Sequence, residues 1–181
     1  RNTSPEIDEY ARGGTQFMRV ISQAPWTRSS IGSFLTSLNP RTIGIYKEKW
    51  DILQDRFVTL AEALKENGYH TIGLTANPHL NRTFNFHQGF DSYTDGRVLF
   101  EWMNPEDGKK AFSKKAMLPR AKEVFSKALM EIEASPRGPV YLQINIMEVH
   151  TTGYRSIKKD QIDADLADDP NARYLQAVRM A

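Results

Sequence analysis

Thr27, Ser29, Ser30 and Ser33 crowd four hydroxyls into QAPWTRSSIGSFLTSLNP, Gln23 to Pro40, in front of and within a helix-like apolar run. Two roles fit hydroxyls in that position. Ser and Thr are good helix caps, because their oxygens accept hydrogen bonds from the unpaired amides of a first turn. The same amides and the helix dipole can instead hold an anion beside a hydroxyl nucleophile. Further along, Asn77 and His79 close HTIGLTANPH, and Glu148 and His150 close PVYLQINIMEVH. Singly, each has an ordinary reading: His79 as a loop histidine, His150 as a turn cap, Glu148 as a solvated rim charge. They share with Thr27 a place directly after an apolar, strand-like segment, so the group could converge on one sheet edge.

The elements that must position these residues follow from hydrophobic periodicity. Ser4 caps and Pro5 opens a first short helix that Gly13-Gly14 ends. Phe17, Val20 and Ile21 lie in a β-prone run leading to the hydroxyl cluster. A helix is predicted from Ser29 to Leu38, with Ile31, Phe34, Leu35 and Leu38 on one face. In TLAEALKENG, Thr59 and Glu62 have capping-box spacing, Leu60 and Leu64 face inward, and Gly68 closes the helix. Ile72 and Leu74 mark the next strand. From Asn81 to Lys115 the pattern weakens into a long loop with short local structure. Pro119 to Ala134 reads as an amphipathic helix with Ala121, Val124, Phe125, Ala128, Leu129 and Ile132 inward. From Val140 about eight β-formers make the strongest strand. The stretch from Tyr154 to Asp169 is acidic and reads as solvated, and a final helix starts at Pro170. Alternating strands and helices imply an α/β fold, a mainly parallel sheet covered by helices, with ligands beyond the carboxyl ends of its strands.

Composition narrows the function classes. With 24 Lys and Arg against 22 Asp and Glu, the net charge of +2 forms no basic stripe, so nucleic acid is not expected as a partner. No apolar run reaches the roughly 18 residues of a membrane span. The absence of cysteine removes disulfides, thiolate metal sites and a Cys nucleophile. The chain opens on Arg1 rather than Met, and a partial domain is the expectation.

Four segments in order resemble the sulfatases of the alkaline-phosphatase superfamily. NTSPEIDEYARGG through IGSFLTSLNP is similar to that family's TPNLDRLAAEG helix, strand, nucleophile motif C/S-x-P-S-R and ASLLTGLYPHRHG. TLAEALKENGYHT looks like its TLAEVLKENGYRT, FNFHQGFDSY like its FGFDQGFD, and PVYLQINIMEVHTTGY like its PFFLYLHLMDPHxPY. The resemblance covers residues 1–154 of a single sulfatase-like segment, leaving 155–181 as a charged loop and the start of a helix. It implies an alkaline-phosphatase-like α/β fold.

Carried over residue by residue, the resemblance puts Thr27 at the nucleophile position. Ser29, Ser30 and Ile31 stand where the motif has Pro, Ser and Arg. Cys or Ser there can become formylglycine, whose hydrate attacks a sulfate ester. Thr cannot yield that aldehyde, but its hydroxyl can attack phosphorus. His79 and His150 fall at substrate-contacting histidines, able to donate to non-bridging oxygens or to protonate a leaving group. Asn77 stands where Lys is usual. Glu148 matches the family's Asp only in charge, and Asp8 matches the helix Asp, which is no metal ligand. The resemblance implies a divalent metal, calcium or else manganese, zinc or magnesium, held by an Asp pair on a strand upstream of the first helix and by Asp with Asn or His on a strand downstream. Thr27 is then the one candidate ligand here, and the isolated 181 residues are expected to bind no metal alone. The implied activity of the complete protein is metal-dependent hydrolysis of a small-molecule or glycan sulfate or phosphate ester. The competing expectation is a non-catalytic homologue serving as a binding or scaffold domain, with Ile31 and Asn77 marking lost chemistry.

Overall fold

Thr59 begins a helix as its spacing predicts. Its hydroxyl accepts the Glu62 N–H at 3.2 Å while the Glu62 carboxylate accepts the Thr59 N–H at 2.8 Å, closing a capping box. The computed structural model in which this is seen describes residues 4–46, 51–103, 119–147, 149–150, 160, 162–168 and 170–173. The chain forms two compact units, Arg1–Ile21 with Ile146–Ala181, and Ser22–Asn145.

In the first unit, helix α1 spans Pro5–Arg12, with Ser4 before it and Gly13 after it. Ser4 makes no side-chain cap bond, and none of the helix residues is buried. The β-prone run is not a strand. Residues 15–21 adopt no helix or strand, and Phe17, Met18, Val20 and Ile21 are exposed. Branched side chains favour extended backbone, but a strand also needs a neighbour to pair with, and none is found among the described residues. A one-turn helix spans Ala164–Leu166 in the acidic stretch, where Asp160, Asp163, Asp165 and Asp168 are exposed. Only the first residues of the final predicted helix, Ala172 and Arg173, are described as helical.

The second unit carries the sheet. Helices α2 (Thr27–Thr36), α3 (Pro40–Ile43) and α4 (Leu60–Glu66) precede strand β1 (His70–Thr75). Strand β2 (Ser92–Thr94), helix α5 (Gly96–Met103), helix α6 (Ala121–Glu133) and strand β3 (Val140–Asn145) follow. The sheet order is β2-β1-β3 and both pairings are parallel. Central β1 is buried from Thr71 through Thr75, so both of its faces are covered; α4 and α6 pack on it. Gly73 is required there, because a Cβ would stand 2.5 Å from the Tyr93 ring.

Three expectations change. The stretch read as a long loop with short local structure holds β2, which joins the sheet, and the eight-residue α5, with Asp95 capping α5 through bonds of 3.1 Å from the Arg97 N–H and 3.3 Å from the Val98 N–H. In α4 the buried residue is Ala61, while Leu60 and Leu64 are half-buried. In α6, Ala121, Val124 and Ala128 are buried, whereas Phe125 and Leu129 are exposed. The FNFHQGF segment works as a buckle. Asn85 donates to the Leu53 carbonyl at 2.8 Å, and Gln88 to the Phe57 carbonyl and the Glu62 carboxylate, each at 2.8 Å. No described helix is long and apolar enough to cross a membrane.

Candidate functional site

Parallel pairing puts the carboxyl ends of all three strands on one edge. Leu74 is in register with Thr94, and Thr75 with Asn145. Polar side chains collect there: Thr75, Asn77, Thr94 and Asp95 are all buried. The Asn145 amide oxygen is buried with no hydrogen-bond partner. Such an edge is where open α/β sheets bind ligands. Asp95 and Asn145 are members of this edge that the sequence reading does not name: Asn145 closes a strand whose β-formers are legible, whereas Asp95 follows β2, which is too short to show a period.

Helix α2 starts two residues earlier than its apolar pattern predicts, at Thr27, and ends at Thr36. Thr27 is thus the first helical residue and not the cap. The cap position belongs to Trp26, whose extended backbone turns into the helix and whose side chain makes no cap bond. The inward face also differs from the prediction. Arg28, Ser29, Gly32, Ser33 and Leu35 are buried, while Phe34 and Leu38 are exposed and Ile31 is only partly covered. Gly32 permits this seat, because a Cβ would lie 2.8 Å from Ile43 Cδ1 and 3.2 Å from Ile45 Cδ1.

The hydroxyls divide by task. Ser30 Oγ and Ser22 Oγ lie 2.7 Å apart, and Ser22 also donates to the Ala24 carbonyl at 2.8 Å, so the approach to the helix is pinned to its first turn. Ser29 and Ser33 point into the packed face, and the Ser33 hydroxyl is buried without a partner. The half-buried Thr27 has no side-chain hydrogen bond among the described residues.

Arg28 is 7% exposed. Its Nη1 donates to the Asp51 carbonyl at 2.9 Å, and its Cζ stands 4.1 Å from the centroid of the Phe84 ring. Among the described residues, no carboxylate pairs with it.

Asn77 and His79 occupy the turn after β1. The buried Asn77 donates its N–H to Thr75 Oγ1 at 3.0 Å and accepts the His79 N–H on Oδ1 at 3.0 Å, so its amide oxygen shapes the one-turn helix Pro78–Leu80. His79 itself is exposed. That turn packs against α2, and Leu35 and Leu80 share one core cluster. The elements bearing Thr27 and His79 are therefore neighbours, joined by side chains whose burial contributes roughly 1.5–3 kcal/mol each. His150 lies in the other unit, exposed, with its N–H donating to the Met147 carbonyl at 3.0 Å. Glu148 lies outside the described residues. Burial and the nearby Arg82 hold the His87 imidazole below its ordinary range.

A parallel sheet with polar strand ends and a hydroxyl-bearing helix packed on the loop after its central strand defines an α/β protein with the ligand edge of an open sheet, and its fold is that of alkaline-phosphatase-like solved structures. The sulfatase family model matches residues 1–179, and the chain belongs to the sulfatase family. It is 29% identical over 104 residues to iduronate 2-sulfatase from Mus musculus, a match spanning 56% of this chain and 17% of that protein. Among solved structures it resembles an alkaline phosphatase superfamily protein from Vibrio parahaemolyticus, with a TM-score of 0.64 and 22% identity. The C-terminal periplasmic domain of EcEptC from Escherichia coli, in complex with Zn, also gives 0.64, at 16% identity. Both alignments cover 99% of this chain, and 42% and 50% of those chains respectively. The lipoteichoic acid synthase LtaP from Listeria monocytogenes gives 0.57 at 21% identity, covering 92% of this chain and 40% of that one. The chain thus spans half or less of the length of each of these relatives.

Whether the described residues could hold the family's metal is a question of donor sets. No group of three or more His, Asp or Glu side chains among them could do so. The neutral Thr27 hydroxyl alone does not make a site, so the described donors do not meet the needs of a divalent ion.

Proposed function

We propose that this chain is a single segment of an ester hydrolase acting on a sulfate or phosphate ester, with Thr27 as nucleophile. The carrying observation is that the Thr27 hydroxyl stands at the uncapped start of α2, bonded to no described group, on a helix packed against the His79 turn. First-turn amides without a side-chain cap suit an anionic oxygen. Family membership and the likeness to both a sulfatase and a lipoteichoic acid synthase support the substrate class.

For a phosphate ester the step is a displacement. Thr27 Oγ1 forms a bond to phosphorus as the bond from phosphorus to the leaving oxygen breaks, and the hydroxyl proton passes to solvent. The leaving oxygen takes a proton from an imidazolium, for which His79 and His150 are the candidates. Water then attacks phosphorus, breaks its bond to Thr27 and restores the hydroxyl. Asn77 keeps its amide N–H groups for a non-bridging oxygen, because its carbonyl oxygen is engaged by the turn. A divalent metal belongs to the complete protein in this reading, with Thr27 as a possible ligand and the others supplied beyond the described residues.

A non-catalytic homologue is the second reading, favoured by Ile31, which packs on the core at the position where the motif has Arg. Turnover per folded molecule of Thr27→Ala and Thr27→Ser in the full-length protein separates the two. The nucleophile reading expects Thr27→Ala to lose nearly all turnover, with Thr27→Ser retaining much more. Near-wild-type turnover in Thr27→Ala would make Thr27 an ordinary helical residue.

A further inference from the structure

Arg28 breaks two local rules at once. A buried cation is expensive unless a carboxylate neutralises it, and none of the described ones does. A cation in a first turn also opposes the helix dipole. Helices α1, α4 and α6 follow the rule, carrying Glu6 and Asp8, Glu62, and Glu123 in their first turns; α2 and α5 have no acidic residue there, but α5 is capped by the Asp95 carboxylate while α2 has no side-chain cap. What offsets the cost at Arg28 is neutral, namely the Phe84 ring face and the Asp51 carbonyl. Both partners hold the guanidinium in place and neither cancels its charge.

We infer that Arg28 is the positioning residue for Thr27 and leaves a net positive charge at the start of α2, where an ester anion would bind. The inference rests on the reading of Thr27 as nucleophile. Its mechanical part follows from connectivity. Phe84 ends the turn Arg82–Phe84, which follows directly on the His79 turn, and the Phe84 carbonyl accepts the Leu53 N–H at 3.1 Å. Arg28 therefore ties the first turn of α2, the 51–53 segment and the loop continuing from His79 into one bonded unit. A planar guanidinium lies over the Phe84 ring while donating in its own plane to the Asp51 carbonyl, a pre-organised geometry that the compact head and flexible stem of a lysine do not reproduce.

The test uses the full-length protein, with p-nitrophenyl phosphate, bis(p-nitrophenyl) phosphate and p-nitrophenyl sulfate as probes. Arg28→Met keeps the bulk without the charge, and Arg28→Lys keeps the charge without the fork. Relative to wild type, kcat per folded molecule is expected to fall about tenfold in Arg28→Lys and about a hundredfold in Arg28→Met, the scale of a lost preorganised donor. KM should change less than kcat. A merely structural Arg28 would lower the melting temperature and leave kcat per folded molecule within threefold of wild type, which overturns the inference. If Arg28→Met does not fold, Arg28→Lys decides by the same threefold limit. Thr27→Ala measured in parallel keeps the two readings apart. Full activity there, or no wild-type turnover of any probe, overturns the nucleophile reading, whereas an inactive Thr27→Ala beside a fully active Arg28→Met overturns the role of Arg28 alone.

Discussion

The hydroxyls of Ser22 and Ser30 meet at 2.7 Å, one from the chain approaching α2 and the other from its first turn. This bond sets how the backbone enters the helix at Thr27. Both side chains are near the surface, so the pair is worth about 0.5–1.5 kcal/mol at most. Ser22→Ala and Ser30→Ala are each expected to lose less than that in urea denaturation. Because they share one bond, the double variant should lose no more than the larger single loss. Additive losses would mean that the two hydroxyls act separately.

Thr59 serves a different helix start. It is 1% exposed, accepts the Glu62 N–H and donates to the Gln88 carbonyl at 3.2 Å. Thr59→Ala is expected to destabilise the protein by about 1–2 kcal/mol, and Thr59→Ser by much less. Chemical denaturation of the two variants checks the order.

Gly73→Ala tests the packing of the central strand. The new Cβ would meet two ring carbons of Tyr93 at 2.5 and 2.8 Å and Phe90 at 3.1 Å. Tyr93 cannot swing aside without giving up its 2.6 Å bond to the Leu80 carbonyl. The expected loss is about 1–3 kcal/mol, the range for overpacking a filled core. A variant as stable as wild type would show that the ring has room to shift.

Asp91 supplies a pH dependence. Lys65 Nζ donates to Oδ1 at 2.6 Å and the Thr71 N–H to Oδ2 at 3.0 Å, and these bonds lower the carboxyl from 3.8 to about 2. The unfolded chain takes up the proton more readily than the folded one. Stability from Asp91 is therefore complete above pH 3.8 and is lost as pH falls through about 2. Asp91→Asn should be less stable than wild type at neutral pH, with the difference shrinking across that acid window. A difference independent of pH would assign the effect to packing.

The 181 residues on their own are expected to show no chelator-sensitive hydrolysis of p-nitrophenyl sulfate or phosphate, because the described side chains offer no metal ligand group. Turnover that a chelator abolishes would place a ligand set within this chain.

Much of the fold was legible because its signals are local. Thr59 and Glu62 sit three residues apart, Pro5 and Gly13 bracket α1, and β1 and β3 are runs of β-formers that needed no partner to be recognised. The misses arise where distant residues decide. Phe17 to Ile21 have the composition of a strand without a paired neighbour. Ser92–Thr94 is too short for any periodicity, and is a strand because β1 lies beside it in register. In α2 the pattern put Phe34 and Leu38 inward, yet Arg28 and Ser33 are buried instead, since Phe84 and the Asp51 carbonyl, far along the chain, receive the guanidinium. The positions of Thr27 and His79 after strand-like segments could be read from sequence. The engagement of the Asn77 carbonyl by its own turn could not, because it depends on the turn's geometry.

The order β2-β1-β3 also has a consequence in time. Strand β1 meets β2 after residues 76–91, but must wait for residues 76–139 before β3 exists to join it. The entropy of closing a loop grows with its length, and distant pairings slow folding. The sheet therefore zips first on its β2 side. During synthesis on the ribosome, the other margin of β1 stays open until α6 has emerged and β3 behind it.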